Sequence, residues 1–166
     1  MSQTPTATRA AGPTQAERLV RLRMASLGVV VMLIIQFILG MIYNLYGTAP
    51  TSTKAIGLFS GPTIALHVIV GILLGLAAIV QLVRAIGTRH SPSIWLSALG
   101  LLFIIGAGFA GLGFTGSGAA GASLGMSLAF AAALACYVAL IVVLPSVASV
   151  PAVSRASADG GQSSTT

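Results

Sequence analysis

The stretch TIALHVIVGILLGLAAIVQLV, from Thr63 to Val83, holds no Asp, Glu, Lys or Arg and decides the fold. As a helix rising 1.5 Å per residue it crosses the ~30 Å hydrocarbon layer of a bilayer. Its apolar residues form a block rather than a stripe, so the medium that suits it is lipid on all sides. Three more stretches read the same way: Met24–Tyr43 (MASLGVVVMLIIQFILGMIY), Ile94–Phe114 and Ala122–Leu144. The whole chain of 166 residues is 56% hydrophobic and 6% charged, with mean hydropathy +1.01. A water-soluble domain carries about a quarter charged residues, so no aqueous surface can be assembled from this composition. The expected fold class is all-α, a transmembrane four-helix bundle within residues 14–144.

The flanks set an orientation. Residues 1–13 (MSQTPTATRAAGP) are small and polar and read as a disordered tail, as does most of 145–166, rich in Ser, Ala and Gly after Pro145. Thr14 opens TQAERLVRLR, a charged helical lead-in whose Arg18, Arg21 and Arg23 run into Met24. With four spans, Arg9, Arg18, Arg21, Arg23, Arg84, Arg89 and Arg155 share one side, and Lys54 alone lies on the other. Cations collect on the cytoplasmic side, so both termini are expected there, in a cell (inner) membrane. The net charge of +6 therefore answers to topology and anionic headgroups, with lipid as the partner and no nucleic acid. A secretory signal peptide is the rival reading of Met24–Tyr43. Its core would be about 7–15 residues and end at a small-x-small site, which this stretch lacks.

The links carry the punctuation of membrane helices. Asn44–Pro62 contains Gly47, Pro50, Gly57 and Gly61, and its segment Ala55–Phe59 suits a position flat on the membrane surface. Pro62 fits a first helical turn, where its missing N–H sacrifices no bond. Trp95 is a headgroup-level anchor, as are Tyr43 and Tyr46 at the other surface. Close approach of helices in lipid relies on small residues. Gly71 with Gly75, Ala107 with Gly111, Gly121 with Gly125 and Ala131 with Ala135 have that spacing. Spans two to four are expected to be the tight part and span one to have more lipid contact.

His67 is the ionisable side chain inside the spans that invites a functional reading. Counting residues from the surface, it lies ~6 Å below the outer end of its helix, Gln36 ~10 Å and Ser127 ~7–8 Å below the same surface. Gly111 shares this level, so one outer-leaflet layer holds Gln36, His67, Gly111 and Ser127. The inner half offers Gln81, Ser97, Cys136 and Tyr137. His67, Gly71 and Gly75 recur every four residues on one helical face, an imidazole above two residues without side chains. A flat cofactor such as haem b suits that arrangement, with His67 as iron ligand and Met126, at matching depth, as the second. A second imidazole from His90 is ~34 Å away along the helix. The competing readings of His67 are a structural histidine bonded to Gln36 or Ser127, quinone contact, and proton transfer.

Other chemistry is excluded. The two acidic residues, Glu17 and Asp159, lie in tails, so no carboxylate pair or hard-metal site exists. No glycine-rich loop runs into Lys-Ser or Lys-Thr. Cys136, a single cysteine, reads as a small core residue.

Gly40–Asn44, Leu66–His67 with Gly71, Gly111–Phe114 and Ser127–Tyr137 resemble small uncharacterised four-helix membrane proteins of bacteria and archaea, over roughly residues 24–144. More remotely, four helices with a histidine near one helix end resemble one half of the haem A synthase and b-type cytochrome bundles. That likeness implies haem held between helices by paired histidines; this chain has one histidine within its spans. Two functional expectations follow. One is a non-enzymatic structural or accessory subunit that presents helix faces to other membrane subunits. The other is a haem- or quinone-binding redox protein centred on His67, with Met126, Gly71, Gly75, Gln36 and Ser127 around the cofactor. A small channel or carrier ranks third, for want of charged pore residues.

Overall fold

A computed structural model describes residues 14–144 apart from 49 and 52. The tail readings for 1–13 and 145–166 fall outside these described residues. The chain forms four α-helices: α1 (Gln15–Tyr46), α2 (Pro62–Thr88), α3 (Ser91–Ser117) and α4 (Ala120–Val143). All four are long and apolar enough to cross a membrane. Among the described residues the fold is all-α, with one isolated bridge between Thr51 and Lys54.

Each helix runs past its apolar stretch because local chemistry continues it. Before α1, the Thr14 hydroxyl accepts from the Glu17 N–H and the Glu17 carboxylate accepts from the Thr14 N–H, a reciprocal capping box. The arginine-bearing lead-in is thereby one rigid piece with the span, 32 residues or about 48 Å in all. Pro62 stands at the first position of α2, as its geometry favours. The α2–α3 link is only Arg89 and His90, Arg89 adopting the left-handed conformation that ends α2. The α3–α4 link is shorter than Thr115–Gly121: α3 continues to Ser117, and Gly118 with Ala119 makes the turn.

The helices pack as a ring, α1 on α2, α2 on α3, α3 on α4 and α4 on α1. Antiparallel register in the first pair follows from three bonds, Gln15 to Thr88, Gln81 to Leu22 and Gln36 to His67. In the second pair Gly113 faces Ala122, Gly111 faces Met126 and Gly100 faces Tyr137. Thr14 and Leu144 therefore lie at one end of the bundle together with the α2–α3 link. Arg18, Arg21, Arg23, Arg84 and Arg89 are at this end, and Lys54 is at the other.

The two pairs are held by different means. The α3–α4 contact is the most extensive and rests on small residues, with Gly113 near the Ala122 methyl and Gly125 near that of Ala110. The α1–α2 contact comes second and is bonded by side-chain amides. Helix α1 contributes Leu22, Ser26, Val29 and Leu33 to the buried interior, yet it exposes more large apolar side chains than any other of the four helices, in keeping with the expectation of more lipid contact for span one. Its other faces, like those of every helix, present large apolar side chains outward, as lipid solvation requires. Phe37 of α1 stacks on Phe130 of α4 with ring centres 5.2 Å apart, closing the ring.

The long link between α1 and α2 folds back over the far end of the bundle. The Ile56 N–H donates to the Thr115 carbonyl at 2.9 Å, so the segment expected to lie flat on the membrane docks on the end of α3 instead. Pro50 is buried against Gly118. Gly118 has φ +66, and a Cβ there would run into the Pro50 carbonyl, so both conformation and space demand glycine.

One pair of substitutions tests the packing. A Cβ at Gly100 would stand 2.7 Å from the ring of the fully buried Tyr137, whereas one at Gly106 meets nothing within 4 Å. Gly100→Ala is expected to lose about 1–3 kcal/mol by overpacking. Gly106→Ala is expected to gain about 0.5–1 kcal/mol from reduced chain entropy. Unfolding of both variants in mixed detergent measures the difference.

Candidate functional site: the Gln36–His67 node

In the half of the bundle nearest Lys54, Gln36 of α1 reaches across to His67 of α2. Its amide nitrogen lies 3.0 Å from the His67 Nε2 and 3.0 Å from the His67 backbone carbonyl. A carbonyl oxygen only accepts, so the amide must turn its NH2 toward it, and the second N–H then points at Nε2. Nε2 is therefore the accepting nitrogen, and the imidazole is the neutral tautomer with its proton on Nδ1.

Glycines make this reach possible. A Cβ at Gly71 would be 3.0 Å from the Gln36 amide nitrogen, and one at Gly40 would be 3.3 Å from the His67 Cε1. Each polar side chain thus lies over a glycine one turn along on the facing helix, Gln36 over Gly71 and His67 over Gly40. The space above Gly71 expected for a flat cofactor is filled by the amide of Gln36. Gly75 faces open space.

Two further expected site residues, Met126 and Ser127, stand on α4. Met126 sits in the α3–α4 contact, its sulfur 3.6 Å from where a Cβ of Gly111 would stand. Ser127 shares the depth of His67 but is exposed on α4 and donates to the Ser123 carbonyl of its own helix at 3.0 Å. The structure therefore joins Gln36, His67 and Gly71, with Gly40 added, while Met126 contacts Gly111 and Ser127 bonds its own helix. Gly40 had a legible signal, standing one turn after Gln36 as Gly71 stands one turn after His67.

A haem iron needs an imidazole nitrogen with a free lone pair. The lone pair of Nε2 is directed at Gln36 and Nδ1 carries the proton, so the residues as arranged do not fit an axial ligand set. Two buried polar atoms of the node find no hydrogen-bond partner, the His67 Nδ1 and the Gln36 Oε1. They leave one donor and one acceptor of the node unused. Among the described residues no three His, Cys, Asp or Glu side chains gather as metal ligands.

A second polar layer lies toward the arginine-rich end. Ser26, Gln81, Ser97 and Tyr137 come from four different helices and are all buried. Gln81 donates to the Ser26 hydroxyl at 2.6 Å and to the Leu22 carbonyl at 3.2 Å, while Ser26 donates to the same carbonyl at 2.9 Å. The Tyr137 hydroxyl, Ser97 Oγ and Gln81 Oε1 have no partner. Cys136, expected in this set, is half-buried and free. His90 bonds Ser93 through Nδ1 at 2.7 Å at the start of α3 and belongs to the link.

No family model, curated protein or solved structure matches this chain.

Breaking the node one side at a time tests its role. Gln36→Leu leaves the His67 Nε2 buried and unpaired, which is expected to destabilise by about 1–3 kcal/mol. The double variant Gln36→Leu with His67→Leu removes both partners and is expected to recover most of that loss. Additive losses in the double-mutant cycle would show that the two side chains do not act together.

Proposed function

We propose that this chain is a multi-pass membrane protein without a reaction of its own, a structural or accessory subunit whose apolar helix faces meet lipid and other membrane subunits. The observation that carries the reading is the closure of His67. His67, the histidine within the described spans, is held at the α1–α2 contact by Gln36, its lone pair directed at an amide rather than toward a ligand. Charged side chains, the usual agents of proton relays and ion pathways in membranes, are confined to the helix ends and links. The arginines at the end shared by Thr14 and Leu144 support a cytoplasmic side for that end, in a cell (inner) membrane, by the positive-inside rule.

A second reading rests on the unpartnered His67 Nδ1 and Gln36 Oε1. A quinone head group has carbonyls that accept from an imidazole N–H, and its reduced form has hydroxyls that donate to an amide oxygen. Contact with a lipid-soluble quinone is the redox alternative that the donor set favours.

Both readings meet in one preparation. Protein purified in mild detergent is expected to be colourless above the protein absorbance band, and its solvent extract to hold no stoichiometric quinone. A Soret band, or a quinone that disappears in His67→Ala with the fold intact, would overturn the subunit reading. The orientation has its own test. A reporter active only in the cytoplasm, fused after Thr166, is expected to be active, and the same reporter inserted after Lys54 to be silent.

A further inference from the structure

The lipid-facing seam between α1 and α2 is not filled. Two adjoining depressions, about 460 Å³ and about 660 Å³, meet at Ala25 and Arg84. The larger opens at the arginine-rich end, among Arg18, Arg21 and Arg84. The smaller continues along the seam past Gly28 and Ala77 as far as Met32. Small residues leave the channel open: a Cβ at Gly28 would meet nothing within 4 Å.

We propose that this seam binds one anionic phospholipid of the leaflet at the arginine-rich end, phosphate at the arginines and one acyl chain along the groove. Three features converge on that occupant. The first is charge. Arg21 and Arg84 line the mouth with Arg18 beside them and no acidic residue does, while Glu17, the acidic residue among those described, caps α1 at Thr14. Arginine forks match phosphate oxygens, and basic clefts between helices at a membrane surface select anionic headgroups.

The second is register. The bonds from Gln15 to Thr88 and from Gln81 to Leu22 fix the two helices so that Arg84 projects from α2 between the levels of Arg18 and Arg21 on α1. The arginines converge because glutamine amides lock the helices that carry them. The third is length. From Arg21 to Met32 the groove follows α1 for about 16 Å, close to half of a ~30 Å hydrocarbon layer. A groove with a cationic mouth and an apolar run one leaflet deep has the dimensions of a phospholipid. A free anion would use the mouth alone, and a partner helix would have no need of the arginines. The inference rests on the four helices spanning a membrane and is independent of any role for His67.

The full chain, reconstituted in nanodiscs of equal parts phosphatidylglycerol and phosphatidylcholine, is released into detergent and its retained lipids counted by native mass spectrometry. One phosphatidylglycerol per chain is expected, in preference to phosphatidylcholine. Arg21→Gln with Arg84→Gln, both exposed positions, is expected to lower that retention by about tenfold or more, from roughly one factor of five per cation. Gly28→Leu fills the channel from a position with free space, so it is expected to lower retention while helicity and melting temperature hold. Equal retention of the two lipids, or retention unchanged in both variants, would overturn the proposal. So would displacement of the lipid by inorganic phosphate, which would assign the mouth to a free anion. A dimer lost in Gly28→Leu would likewise assign the groove to a second copy.

Discussion

Hydrocarbon gives helices no hydrophobic reason to associate, and what joins α1 to α2 is the side-chain amide bonded to a helix carbonyl. Gln15 reaches Thr88, Gln81 reaches Leu22 and Gln36 reaches His67, so every glutamine of the described chain links these two helices. Each bond contributes about 0.6–2 kcal/mol, a modest amount taken singly. Their spacing matters more than their sum. Three anchors distributed along the pair favour one register, since a slip of one residue would leave the amides of Gln36 and Gln81 facing apolar neighbours with no water to accept them. The partner pair, α3 and α4, needs no such bonds because its glycines and alanines let backbones approach and gain dispersion contact instead.

The same interaction governs what His67 can do. A histidine at this depth invites a ligand reading, and the residues nearby supply the reason it reads otherwise. Gly71 and Gly40 remove the methyls that would hold Gln36 and the imidazole apart. Gln36 then takes both acceptors that His67 offers, its carbonyl and its Nε2. The imidazole is left as a donor through Nδ1 rather than as a base. A helix-joining role and an open coordination role compete for one lone pair, and the geometry gives it to the join.

Depth was legible in the sequence, and direction around the helix was not. Residue counting from the span ends places Gln36, His67 and Ser127 at one level, and the bond between Gln36 and His67 agrees for that pair. Yet Ser127 faces outward and bonds its own backbone, as short hydroxyl side chains in helices commonly do. Which way a residue points depends on where neighbouring helices stand, and blocked apolar sequences carry no stripe that reveals it. The spans themselves were legible from hydropathy, and the start of α1 from the lead-in that Thr14 opens, but the end of α3 was not. That helix extends as far as its turn allows, to Gly118, rather than stopping where apolarity does. The lipid contact of α1 was legible in its bulky composition, whereas the bonds that Gln36 and Ser26 make to α2 were not.

The turn at Gly118 and Ala119 is two residues long and carries no charge. So short a connection leaves α3 and α4 almost no freedom to part, and the faces carrying Gly111, Gly113 and Gly125 are held opposite their partners by the chain itself.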